Sequence, residues 1–245
     1  MTAPPLDRRA GVHALLAFVG TLAAMLVLVR INLTLPLFGH VGSALIALAF
    51  LYVPSGLARH RGEDLADYGF TLAPIGRGLR AAAGSALIVF PLFVLGYFAF
   101  YELACSSALA PLAPHGLCAR YAGAAGVHAP ALTPKLLEFC AVQVIVVALP
   151  EELFFRGMLL HLLGRRFGPG RPIAGVHVGW ALLLTSAAFA LSHLPRDGDP
   201  RALATFFPAL LFGWLRLRTG SLLAPTLVHA GSNILVRVLD LMVLQ

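Results

Sequence analysis

The chain has 245 residues, of which 59% are hydrophobic and 12% charged, about half the charged share of an ordinary soluble domain (~25%). With a mean hydropathy of +0.85, this composition excludes a soluble globular enzyme and points to an all-α, polytopic membrane bundle. The formal charge of +7 does not indicate nucleic acid as a partner. The arginines stand between apolar runs, as topogenic loop residues do, rather than along one basic face.

Seven apolar stretches approach the ~20 residues that one bilayer crossing needs. The first is expected over Gly11–Val29, after Arg8 and Arg9; it lacks a small-residue cleavage site and reads as a retained span rather than a signal peptide. The second and third are expected over Val41–Ala58 and Leu79–Tyr101, with Arg59, Arg61, Arg77 and Arg80 around the linker between them. A loop from Glu102 to Pro134 follows, rich in Ala, Pro and Gly. Its Cys105 and Cys118 fit a disulfide in an oxidising compartment, with two unpaired thiols as the alternative. Cys140, inside a span, reads as packing.

The fourth span is expected over Leu136–Leu163 and the fifth over Gly175–Leu194, with Arg165, Arg166 and Arg171 between them. The sixth (Ala202–Leu217) is short, carries Gly213 as a close-packing position, and is followed by Arg216, Arg218 and a Gly220–Ser221 turn; Leu222–Val243 is the last. Arginines therefore mark every second connection. By the positive-inside rule the N-terminus faces the cytoplasm and, with seven spans, the C-terminus faces outward. Lys135 is the chain's lone lysine, and abundant Ala and Gly accompany it; that bias suggests a GC-rich bacterial genome, and a disulfide in the outer loop would fit a bacterial inner membrane facing the periplasm. No internal repeat supports an inverted-repeat transporter. The whole chain reads as one membrane domain, 1–245.

The fourth span contains Glu151, Glu152 and Arg156 in the run "VALPEELFFRGMLLHLL". An ionisable group at the bilayer centre costs at least ~2.5–3.5 kcal/mol, so solitary lipid-facing charges are excluded. Glu152 and Arg156, four residues apart on a helix, are expected to pair. Glu151 lies about 100° around and is left to face something else. An unpaired carboxylate held away from water is a stronger base, which suits proton abstraction. "FALSH" places His193 in the fifth span, and "HAGSN" places His229 and Asn233 on one face of the last. Together these residues supply a base, two imidazoles and an amide donor, the inventory for activating water against a carbonyl.

Zinc held by Glu151, His193 and His229 is the other use of this set, although no His-Glu-x-x-His spacing stands on one helix. A metal-free mechanism is preferred, with zinc kept open. His13, His40, His60, His115 and His128 sit at span ends or in loops, where solvation is the default; His161 and His177 flank an arginine-rich loop, beside lipid headgroups.

In order, Glu151-Glu152-Leu153-Phe154-Phe155-Arg156, then Phe189-Ala190-Leu191-Ser192-His193, then His229-Ala230-Gly231-Ser232-Asn233 resemble the three motifs of the CPBP family of intramembrane proteases, which includes the CAAX prenyl endopeptidases. The resemblance covers roughly residues 136–236, the expected catalytic core. It implies that Glu151 and His193 activate the attacking water, that His229 and Asn233 hold the oxyanion, and that Glu152 and Arg156 support the site. The implied partner is a membrane-embedded or lipid-anchored protein or peptide. Bacterial members of the family include some linked to bacteriocin self-immunity, so a non-catalytic binding or scaffolding protein is the competing expectation.

If the fourth span begins at Leu136, Glu151 and His193 fall more than ~10 Å apart in depth at ~1.5 Å per residue. Convergence therefore requires a fourth helix displaced so that Arg165 marks its inner end. A kink at Pro150 is a further expectation.

Overall fold

The computed structural model describes residues 6–34, 39–106, 108, 116–121, 123 and 127–244. The expected His115 lies outside them, as does the side chain of His40. The chain is 77% helical. Its elements are α1 (Arg8–Thr34), α2 (Gly39–Arg61), α3 (Ile75–Ala104), a continuous helical run α4 over 134–167, a hairpin of β1 (Arg171–Ile173) and β2 (Val176–Val178), α5 (Trp180–Asp197), a 3-10 turn (Pro200–Thr205), α6 (Phe206–Thr219) and α7 (Leu223–Val243). Among the described residues, Arg8–Arg30, Val41–Arg61, Ile75–Ala104 and Leu223–Val243 are each long and apolar enough to cross a membrane. The molecule is a polytopic helical membrane protein.

Helix ends follow local chemistry. The Asp7 carboxylate accepts from the Ala10 amide at 3.0 Å at the start of α1, and Thr133 caps α4 with Pro134 in the first turn. Gly198 and Gly220 end α5 and α6 in the left-handed conformation, which a glycine adopts without strain. The fifth span does not begin at Gly175 as expected. Residues 171–178 form the β1–β2 hairpin, turning through Ala174 and Gly175 at positive φ, and α5 starts at Trp180. Apolar composition there belongs to two short strands, which a hydropathy window merges with the helix that follows.

The α4 run is not uniform. Gln143–Ala148 and Leu153–Leu159 are π-helical, separated by Leu149–Glu152. Pro150 is the second residue after the first π segment. A proline removes one backbone donor, and a π turn is one way a helix passes such a gap without breaking. The second π segment is the buried centre of the molecule: Phe154, Phe155, Met158 and Leu159 pack with Phe50 of α2 and Phe189 of α5. Around it, α1 packs on α2 and on the end of α4, α5 on α6, and α3 on α7.

One end of the bundle carries a network of charged side chains. Arg61 binds Asp7 at 2.9 Å and Glu63 at 3.0 Å, and Arg165 binds Glu63 at 2.6 Å. Tyr68 donates to Glu63 at 3.0 Å, and Arg216 to the Tyr68 and Asp67 carbonyls. The hydrogen bond from Arg61 holds the Asp7 carboxyl below its usual value, at about 2. At the other end, Cys105 and Cys118 form a disulfide, and Tyr121 stacks on Tyr101 and donates to Glu102 at 2.7 Å.

Two histidines, expected at headgroups or in water, have protein neighbours. His161 is half-buried against the Tyr68 ring, with Nε2 3.9 Å from Glu63. His13 is not simply solvated, since its Nδ1 lies 3.0 Å from Arg61. In both cases the acidic loop between α2 and α3 folds back over the helix ends, a return that periodicity does not show.

Candidate active site

The depth of each residue is set by the hairpin that joins α4 to α5. Helix α4 runs on to Phe167, past the expected end at Leu163. Glu151 therefore sits ~24 Å from the hairpin end of α4, and His193, counted from Trp180, ~20 Å along α5. This is the displaced arrangement that convergence requires, and both residues line one cavity of about 260 Å³ with Ser192, Phe50 and Val147.

Glu152 is fully buried, and Arg156 is 1% exposed. Arg156 Nη1 donates to Glu152 Oε1 at 2.9 Å. Its guanidinium lies 4.1 Å from the Phe189 ring centroid, a favourable cation–π placement. The same Glu152 oxygen lies 2.9 Å from His229 Nδ1. A carboxylate only accepts, so Nδ1 carries the proton and Nε2 points away from Glu152. His229 Nε2 stands 3.7 Å from Glu151 Oε2, too long for a direct hydrogen bond. Phe212 stacks on the imidazole at 4.9 Å, and Phe189 meets it edge-on at 5.6 Å. Glu152 thus serves Arg156 and His229 together, and Glu151 stands on the far side of the imidazole.

Glu151 Oε2 is buried and has no hydrogen-bond partner. An unsatisfied buried oxygen is expensive, and an anionic one more so. His193 Nδ1 lies 2.8 Å from the Phe189 carbonyl. That carbonyl fixes the Nδ1–H tautomer and leaves Nε2 as the available nitrogen. His193 makes no hydrogen bond to Glu151 or His229, and cavities join them instead. A second, larger chamber of about 580 Å³ is walled by His193, His229 and Asn233 together with apolar side chains such as Phe90, Phe93 and Phe207.

Asn233 Nδ2 donates to Gln143 Oε1 at 2.8 Å, so one amide hydrogen is used and the second remains. Gln143 was not among the expected site residues. Its signal in the sequence is weak but real: it is a neutral polar residue within the otherwise apolar stretch 139–149 of α4.

Of the donors named for zinc, Glu151 Oε2 and His229 Nε2 lie 3.7 Å apart. Glu151 and His229 approach each other, but among the described residues no group of three or more His, Cys, Asp or Glu side chains is placed to hold a metal ion. A catalytic zinc site uses three protein ligands.

A buried carboxylate–imidazole cluster inside a membrane helix bundle brings together groups that general acid–base chemistry uses. Residues 133–235 match the Rce1-like family model, described as type II CAAX prenyl endopeptidase Rce1-like. The resemblance read from the three motifs is thus borne out over that stretch, and a peptidase is the activity it implies. No curated protein and no solved structure matches the chain.

Proposed function

We propose that the protein is an intramembrane endopeptidase in which Glu151 activates water to hydrolyse a peptide bond of a membrane-embedded or lipid-anchored substrate. The observation that carries this reading is Glu151 Oε2, a buried carboxylate oxygen without a partner at a cavity of about 260 Å³. One water occupies ~30 Å³ of liquid volume, so the cavity has room for water beside Glu151 and His193, which both line it.

Glu151 takes a proton from water as the water oxygen bonds to the scissile carbonyl carbon. The oxyanion is met by the second N–H of Asn233, held in direction by Gln143. His229 adds a donor only when doubly protonated, since its Nδ1–H is committed to Glu152. Collapse breaks the C–N bond, and the amine leaves with the proton that Glu151 holds. His193, fixed by the Phe189 carbonyl, orients the water through Nε2.

The apolar walls of the larger chamber suit an apolar peptide or a lipidated tail. The arginine-rich end is assigned to the cytoplasm and the disulfide end to an oxidising compartment, as at a bacterial inner membrane.

The test is cleavage of quenched transmembrane peptides by the purified protein in vesicles made in oxygen-18 water. One labelled oxygen is expected in each new carboxylate, and Glu151→Gln is expected to lower turnover by ~10²–10⁴-fold. Unlabelled products, or a fully active Gln variant, would overturn the assignment.

A further inference from the structure

On the arginine-rich side of the bundle, away from Glu151 and Asn233, a cavity of about 470 Å³ is lined by Arg156, His161, Arg165 and Arg216. It shares Leu160, Gly164 and Leu217 with an adjoining cleft of about 230 Å³ walled largely by apolar residues, Ala181 and Leu182 among them. We propose that this pair of cavities is a binding site for one anionic phospholipid, with the phosphate in the basic chamber and the head of an acyl chain in the apolar cleft.

The charges favour an anion. Arg165 is answered by Glu63 and Asp7, and Arg156 Nη1 by Glu152. The hydrogen bonds of Arg216 go to the Tyr68 and Asp67 carbonyls, which leave its charge uncompensated. Arg156 Nη2 is buried with no hydrogen-bond partner, although the residue is 1% exposed. His161 Nε2 also lacks a hydrogen-bond partner, and its nearest carboxylate, on Glu63, is 3.9 Å away. A phosphate supplies acceptors for Arg156 Nη2 and, in the Nε2–H tautomer, for His161.

The apolar cleft decides between a lipid and a free phosphate. Inorganic phosphate has no use for Leu160, Leu182 and Leu217, whereas a phospholipid places both chemistries side by side. Basic pockets between helices at the anionic leaflet bind lipid headgroups. The inference does not depend on the peptidase reading.

The experiment uses the full chain in detergent, with lipid binding counted by native mass spectrometry and thermal unfolding followed in parallel. The probes are phosphatidylglycerol, phosphatidylcholine with the same chains, and inorganic phosphate. Phosphatidylglycerol is expected to bind about tenfold more tightly than phosphatidylcholine, the value of one charge-assisted hydrogen-bonded contact. Arg216→Gln should erase that preference. Because Arg216 also holds the 67–68 loop, Gly164→Leu is the second variant. A Cβ at Gly164 meets nothing within 4 Å, so the leucine fills the cavity while every charge stays. It too should reduce phosphatidylglycerol to the phosphatidylcholine level. Equal binding of the two lipids, a preference that survives Gly164→Leu, or stabilisation by inorganic phosphate equal to that by phosphatidylglycerol would each overturn the proposal.

Discussion

Replacing Arg156 by Met separates the structural half of the buried charge cluster from its chemistry. Arg156 and Glu152 are 1% and 0% exposed and meet at 2.9 Å, so neither is screened by water. Breaking such a pair by removing one member costs ~3–5 kcal/mol, because the survivor is left as an uncompensated buried charge. His229 Nδ1 remains on the same Glu152 oxygen, which places the loss toward ~3 kcal/mol. The lost cation–π contact with Phe189 adds ~1–2 kcal/mol, and methionine recovers part of the packing. A total of ~3–4 kcal/mol is expected. The double variant Glu152→Gln/Arg156→Met carries no buried charge at either position, and its amide oxygen still accepts from His229; it is expected within ~1–2 kcal/mol of wild type. The assay is unfolding of purified protein in mild detergent against added SDS, followed by fluorescence of the two tryptophans, Trp180 and Trp214. A single variant that loses under ~1 kcal/mol, or a double variant less stable than the single, would refute the reasoning.

Asn233→Ala should lower turnover by ~10²–10³-fold, as for loss of one oxyanion donor. Gln143→Leu should lower it less, mostly in kcat rather than KM, because it only releases the Asn233 amide; steady-state kinetics on one peptide compares the two. Asp7, held near 2 by Arg61 against an ordinary 3.8, adds stability that is fully present above about pH 4 and disappears as pH falls through about 2. Melting curves of wild type and Asp7→Asn should therefore differ at pH 5 and converge near pH 2; a gap independent of pH would contradict this. Reducing the Cys105–Cys118 disulfide, with a sequence separation of 13 residues, should cost ~2–4 kcal/mol. The loss should appear as a lower melting temperature in reductant, matched by Cys105→Ser.

The helical bundle was legible because hydropathy and the alternation of arginines depend only on local composition. Those signals located every helix but could not distinguish the β1–β2 hairpin, whose Val176, Val178 and Ile173 are as apolar as a span. Two adjacent carboxylates in an apolar helix are so costly that the sequence alone demanded a pairing for them, and the four-residue spacing named Arg156 as the partner of Glu152. Spacing could not show that His229 also shares the Glu152 oxygen, since that contact joins residues 77 positions apart. Gln143 and the Glu63–Arg61–Arg165 network were opaque for the same reason. Each is an ordinary residue until the fold brings its partner, 90 or 102 positions away, within reach.

The most direct test compares the protein termini in membranes of cells making the wild-type protein with those in cells making Glu151→Gln at equal level. The account predicts new termini within or beside membrane segments that appear only with the wild type, and those termini would identify the substrate. Identical termini, with Glu151→Gln still rescuing a deletion phenotype, would contradict it and leave the buried cluster as part of a binding or immunity protein.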